Sequence, residues 1–336
     1  MPIPGTGIIP SGAEYSQLQA VTRRAFIPQL VVQIYNSSPT LSALMGNAQK
    51  ASGGISSVTV PVQGQAMTTT QTTNYGGTFN VPGDQTGIQN GEFNLKGLIT
   101  PLALLGMEPA VQMGEKVLSL LEARSNDAGQ NMIQFMSNAI SSNYTDNSNL
   151  IGFAGAIDDG TNMNTYGGIN RTSNTWWKGN RYAAGSVAPQ RANVMTYEMG
   201  TVKASGELPS FGVMGPGTWM KLAEDYLGFE RYTMKPDGVG YSNTASGPKA
   251  GFTALMVGNV PIFADPYFPE GTMYLVNTRY LALYIHDKAS FYVTPFSNLQ
   301  PIGQLGYLAN ILTLAEMVCA KPKAQTVVTG YTYETI

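Results

Sequence analysis

Residue types able to do acid–base, nucleophilic or metal chemistry are scarce in this chain. Among 336 residues there is one histidine, His286, and one cysteine, Cys319. A Ser/His/Asp triad needs a histidine as its general base, so it would have to be built on His286, and no G-x-S-x-G turn accompanies that residue. His286 closes the segment Tyr284-Ile285-His286-Asp287 and reads as a structural histidine at a strand end. One His and one Cys are too few for a zinc site made of those ligands. The run Asp158-Asp159-Gly160-Thr161-Asn162 superficially resembles a calcium loop, but it lacks the D-x-[DN]-x-[DN]-G order and the closing Glu. It reads instead as a turn with Asp and Gly in their usual roles. Glu224 and Asp225 are adjacent on an expected helix, so their side chains diverge and read as solvated. Gly247-Pro248-Lys249 is an isolated turn with no phosphate-loop pattern around it. Cys319 lies in the apolar run 311–320 and reads as a buried small hydrophobe. Catalytic residues, cofactors and metals are therefore not expected.

Composition points away from nucleic-acid reading. Net charge is −2 and charged residues make up 12%, about half the roughly 25% usual for soluble domains. Arg23-Arg24 and the Lys321/Lys323 pair are the local basic clusters, and no basic stripe joins them. A polar but weakly charged surface loses little desolvation energy when another protein covers it. Hydrophobic residues, at 43%, suffice for a sizeable core. With one cysteine an intrachain disulfide is impossible. No signal peptide is read at the start, and no run approaches the ~18 apolar residues of a membrane span. A reducing cytoplasm is the expected site of synthesis.

The elements follow from pattern. Residues 1–48 read as an extended arm with a short helix that Pro28 ends or kinks. Val58, Val60 and Val62 alternate with Thr59 and Pro61, and Phe93, Leu95 and Gly97 alternate with polar residues. Each run predicts a strand, and the Gly/Thr/Gln/Asn-rich stretch 63–91 between them makes residues 49–100 a long hairpin or tongue. Such a two-stranded ribbon is marginal alone and needs a neighbour to lie on. Residues 107–142 carry helical spacing at Val111, Val117, Leu118, Leu121, Ala128, Met132, Phe135, Met136, Ala139 and Ile140. Pro109 sits at the first turn, and the implied helix is on the order of 45 Å long. Residues 143–188 are loop-rich, and a second helix is expected at 189–205. A strand at 210–215, a helix at Thr218–Leu227 and strands at 252–266, 271–285 and 289–296 follow. The apolar run 306–329 fits strand or helix, with strand favoured at Thr326–Thr329.

The order of arm, tongue, spine helix and α+β domain, with the chain returning to the spine, resembles the Hong Kong 97-type major capsid proteins of tailed double-stranded-DNA bacteriophages. Gly168-Ile169-Asn170-Arg171 followed by Trp176-Trp177-Lys178 is similar to a signature after the spine helix in that family, as is Gly152–Asp158 before it. Val260–Asp265 followed by Met273–Tyr280 resembles the strand pair of its axial domain. The resemblance implies an α+β fold with an N-terminal arm at 1–48 and a hairpin loop at 49–100. A peripheral domain would cover 101–204, an axial domain 205–300, and a return to the peripheral domain 301–336. It implies a subunit that assembles with copies of itself into hexamers and pentamers of an icosahedral phage head, formed in the host bacterial cytoplasm. A separate scaffolding protein and a portal would be its partners, packaged DNA would be touched non-specifically, and no membrane would be involved.

Some members carry a scaffolding segment ahead of the arm; here the arm begins almost at Met1, which suggests either a separate scaffolding protein or prior cleavage, and Met1 argues against cleavage. Some cross-link neighbours through a tongue lysine; Lys50 and Lys96 flank the tongue here, away from its tip, so cross-linking is not expected. The residues expected at subunit contacts are Arg23, Arg24, Lys50, Tyr75, Phe79, Lys96, Arg171, Trp176, Trp177 and Lys178. The tryptophan pair allows two readings: an interface anchor, or one buried ring with one on the rim. Two other functions stay open: an encapsulin-like cargo compartment sharing the fold, and a secreted β-rich binding protein.

Overall fold

The computed structural model describes residues 38–52, 56–64, 72, 74–78, 87–105, 120–141, 148–227, 254–295, 297–299 and 306–335. They divide into two compact units: one holds 98–134 and 289–313, the other 37–97, 135–288 and 314–336.

The larger unit opens with helix α1 (Pro39–Gly46). Ser38 caps it, accepting from Leu41 N at 3.1 Å, and Pro39 starts the first turn. The Ser38 hydroxyl also donates to buried Asp265 at 2.6 Å, tying the helix to a residue 227 positions further along the chain. Strand β1 (Gln49–Ala51) follows, then β2 (Ser57–Gln63) and β3 (Ile88–Asn94), which pair antiparallel from Ser57↔Asn94 to Gln63↔Ile88. This is the expected hairpin, with its strands inside 49–100. Lys96 begins β4 (Lys96–Leu105), which leaves the hairpin and pairs with a late strand.

The described part of the spine is α2 (Leu120–Ser141); residues 107–119 of the expected helix lie outside the described residues. Met132, Met136, Ala139 and Ile140, spaced as one helical stripe, are buried. Phe135, counted with that stripe in the sequence, is half exposed, because its position falls on another face. Short helix α3 (Phe153–Ala156), strands β5 (Thr165–Tyr166) and β6 (Ile169–Asn170), a 3₁₀ turn (Thr175–Trp177) and β7 (Asn180–Val187) lead to α4 (Arg191–Ser205). Gly206 ends α4 in the left-handed region at φ +82, returning its N–H to Val202 O.

Strand β8 (Phe211–Met214) precedes α5 (Pro216–Leu227), which starts two residues before the expected Thr218. The Glu270 carboxylate takes the Gly217 and Thr218 N–H groups at 2.9 and 2.8 Å, so helix donors are satisfied from outside the helix. Strands β9 (Ala254–Val257), β10 (Val260–Ala264), β11 (Thr272–Val276) and β12 (Leu281–His286) follow, then β13 (Tyr292–Val293), β14 (Ser297–Asn298), β15 (Gly306–Cys319) and β16 (Thr326–Tyr331). The apolar run from 306 is thus two strands, β15 and β16, joined by a 3₁₀ turn at Pro322–Ala324.

One sheet has the order β7-β16-β11-β8-β10-β9. Its interior strands β8 and β10 are buried on both faces, which explains their unbroken apolar runs. Val194 of α4 and Leu222 of α5 pack on it with Met214, Ile262, Leu275 and Val328. This sheet crosses the boundaries expected at 204/205 and 300/301, since β7 and β16 join the strands of 211–276. The cause is a parallel pairing of β7 with β16, between residues 146 apart, for which local pattern carries no signal. In a second sheet β1 pairs parallel with β12, and β12 pairs antiparallel with β15 from Leu281↔Cys319 to Ile285↔Ala315.

The smaller unit holds the pairing of β15 with β13 (Val293↔Ile311) and β14 (Ser297↔Leu308). There the Thr313 hydroxyl contacts Met132 Sδ at 3.2 Å, and Arg124 donates to Ala103 O at 2.8 Å.

Candidate functional site

The segment 150–180 is organised around an Asp–Arg pair. Asp158 is fully buried. Its Oδ2 accepts from Gly160 N and Asn162 N at 2.9 Å and from Met163 N at 3.0 Å. Arg181 donates to Oδ1 at 3.3 Å, and the Arg171 guanidinium lies 3.8 Å away. The turn expected at Asp158–Asn162 is therefore present, with a charged centre that the sequence reading did not assign.

Arg171, also fully buried, spends its donors on main-chain carbonyls: Gly155 O at 2.8 Å, Ala156 O at 2.9 Å, Met163 O at 3.0 Å and Trp177 O at 3.3 Å. A guanidinium fork suits this role, because five planar donors can serve several carbonyls at once. Burial pulls its pKa below the ordinary arginine value, opposed by Tyr166, Asp158 and other neighbours. The guanidinium sits 4.8 Å from the centroid of the Tyr166 ring.

Gly167 and Gly168 have φ of +59 and +76 and join β5 to β6. Two successive left-handed residues form the tight hairpin turn that glycine pairs favour, so this dipeptide positions Ile169, Asn170 and Arg171. Asn170 Oδ1 then accepts from Thr172 N at 2.8 Å, bending the chain toward the 3₁₀ turn.

Aromatic rings continue the site. Trp177 is fully buried and donates Nε1 to Tyr166 O at 2.9 Å. Tyr166 accepts from Cys319 N at 2.9 Å and donates to Met317 O at 3.2 Å, fastening the loop to β15. Burial raises the Tyr166 hydroxyl pKa well above its usual value. Phe93 of the hairpin meets Tyr166 edge-on, with centroids 4.9 Å apart, and Glu92 N donates to Gly167 O at 2.9 Å.

Of the expected contact residues, Arg171 and Trp177 lie inside the subunit and have no surface for a neighbour; their polar groups are committed within the loop. Trp176 and Lys178 are half-buried, so the tryptophan pair is one buried ring and one on the rim. Lys50 and Tyr75 are exposed and Lys96 is half-buried. Arg23, Arg24 and Phe79 lie outside the described residues. Asp225, expected to be solvated, is half-buried and accepts from Arg191 N at 2.9 Å, while exposed Glu224 pairs with Lys221 at 3.1 Å. Residues missed in the sequence are Phe93 and Tyr166, whose partners become neighbours only through the fold; the paired glycines were the available signal.

Two further buried acids lie in this unit. Glu316 on β15 accepts from Ile151 N at 3.3 Å through Oε1, while Oε2 has no partner, and burial raises its pKa to about 8. Glu198 on α4 also has an oxygen without a partner, and burial raises it to about 7. A polar cavity of about 500 Å³ is lined by Arg181, Thr161, Asn162, Thr272, Tyr274 and Thr329, together with apolar residues, and among the described residues no His, Cys, Asp or Glu lines it. His286 Nδ1 accepts from Lys288 N at 3.2 Å at the end of β12, a structural role. Among the described residues no group of three His, Cys, Asp or Glu is placed to hold a metal ion, and no helix is long and apolar enough to cross a membrane.

No family model and no curated protein matches the sequence. Solved structures do match. The capsid subunit of cyanophage A-1(L) is similar over 91% of this chain and 96% of its own, at 13% identity and a TM-score of 0.68. The mature capsid of bacteriophage PhiM1 is similar over 91% and 90%, at 13% identity and a TM-score of 0.54. This chain has the Hong Kong 97-type fold. The SrpI encapsulin from Synechococcus elongatus PCC 7942 is also similar, over 92% of this chain and 94% of its own, at 10% identity and a TM-score of 0.57.

Proposed function

We propose that this chain is the major capsid protein of a phage: copies associate into hexamers and pentamers and close an icosahedral shell around double-stranded DNA. The observation that carries this reading is fold similarity to a phage capsid subunit extending over nine-tenths of both chains. Such an extent leaves little of the chain for a separate catalytic domain. The two-stranded β2–β3 ribbon supports it, because a ribbon of this kind gains stability by lying on another surface. The net charge of −2 suits DNA held by confinement, without a dedicated reading surface. Individually weak contacts become collectively strong once a shell closes, through effective concentration. A scaffolding protein and a portal are the partners this role requires.

Electron microscopy of the purified protein, with and without neighbouring phage genes co-expressed, tests the reading. Capsomers or closed shells are expected; dispersed monomers under every condition would overturn it. A second reading, a compartment shell for protein cargo, is favoured by the likeness to the SrpI encapsulin. Particle contents decide between the two: nucleic acid in a head, protein cargo in a compartment.

A further inference from the structure

We propose that the loop 164–178 is a clamp that fixes the direction in which the β2–β3 hairpin leaves the subunit, with Trp176 as its stop. The inference rests on the shell reading only for its consequence, the placing of the hairpin on a neighbour.

The hairpin meets the loop at three points. At the end of β2, Gly64 lies directly under the Trp176 indole, and a methyl placed on Gly64 would overlap the ring. On β3, Glu92 N donates to Gly167 O at 2.9 Å. One residue further, Phe93 is buried against Tyr166, and a methyl on Gly167 would come within 2.6 Å of the Phe93 ring. A contact on each strand and a hydrogen bond between them constrain both tilt and twist of the ribbon.

The clamp is rigid on the loop side. Trp176 is adjacent to Trp177, at 5.6 Å between ring centroids, and Trp177 is locked by its bond to Tyr166 O. Tyr166 is locked in turn to β15, and Arg171 holds four carbonyls of the surrounding turns. Gly64 itself has ordinary φ, so glycine is required there by the ring and not by backbone conformation. Trp176 is thereby a positioning residue: it acts on a neighbouring copy only through the ribbon it stops.

The test is a double-mutant cycle on the unassembled subunit, read by hydrogen exchange of peptides covering 57–63 and 88–94. Gly64→Ala is expected to raise their exchange roughly tenfold or more by overpacking the contact, with β11 and β16 amides unchanged. In a Trp176→Ala background the same change is expected to do little, since the ring is gone. An equal effect in both backgrounds, or no effect beside Trp176, would overturn the clamp. Trp176→Ala alone adds no atoms and guards against misfolding of the first variant; it must raise hairpin exchange, and unchanged exchange overturns the proposal. Because this readout needs no shell, failure of the clamp and failure of assembly are separable. If shells form, Gly64→Ala is expected to give misshapen or open particles by electron microscopy.

Discussion

Replacing Glu316 by glutamine is expected to stabilise the subunit increasingly as pH rises. Glu316 is 1% exposed on β15, with one oxygen held by Ile151 N at 3.3 Å and the other without a partner. Burial raises its pKa from 4.5 to about 8, against the opposing pull of the Ile151 N–H and the nearby Lys96 charge. Below pH 4.5 folded and unfolded chains both carry the proton, and the group is neutral to stability. Between 4.5 and about 8 the unfolded chain releases the proton while the folded chain keeps it, so folding is progressively penalised. Above about 8 the penalty is constant. At 1.36 kcal/mol per pKa unit the ceiling is roughly 5 kcal/mol, and relaxation or water entry would reduce it to a few. Glutamine keeps an acceptor for Ile151 and never ionises. Urea unfolding of the unassembled subunit at pH 5, 6, 7 and 8, followed by tryptophan fluorescence, measures the difference between Glu316→Gln and wild type. That difference cancels the parallel contribution of Glu198. It should grow by at least about 2 kcal/mol from pH 5 to pH 8. A difference that stays flat would refute the reasoning and place the Glu316 carboxylate in contact with water or a compensating cation.

Arg171→Lys is expected to cost about 3–5 kcal/mol, because a single ammonium cannot serve four carbonyls in fixed directions and leaves buried acceptors unpaired; chemical denaturation reads it, and a loss under 1 kcal/mol would contradict the assigned network. Glu270→Ala removes the acceptor for two N–H groups at the start of α5 and should cost about 1–2 kcal/mol, with exchange rising first at Gly217 and Thr218.

Local features were legible wherever chemistry acts between near neighbours. The alternation of Val58, Val60 and Val62 specified β2, and the stripe of Met132, Met136, Ala139 and Ile140 specified the buried face of α2. Scarcity of His, Cys and charge set which chemistries there was no reason to expect. The order of elements carried the fold type, which the structural likeness to the cyanophage A-1(L) capsid subunit bears out.

Tertiary structure decided what depends on distant partners. Arg171 and Trp177 look like surface anchors by residue type, yet the turn at Gly167-Gly168 folds both inward, where carbonyls from 155–177 surround the guanidinium. Glu316 sits in an apolar run that gives no sign of whether its carboxylate reaches water; the packing of Ile151 over β15 settled that. The parallel pairing of β7 with β16 and the seating of Gly64 under Trp176 join segments more than a hundred residues apart. Sequence periodicity reports which face of an element is apolar, but which distant element covers that face is chosen by the packing of the whole chain, and so both the buried charges and the direction of the hairpin were set there.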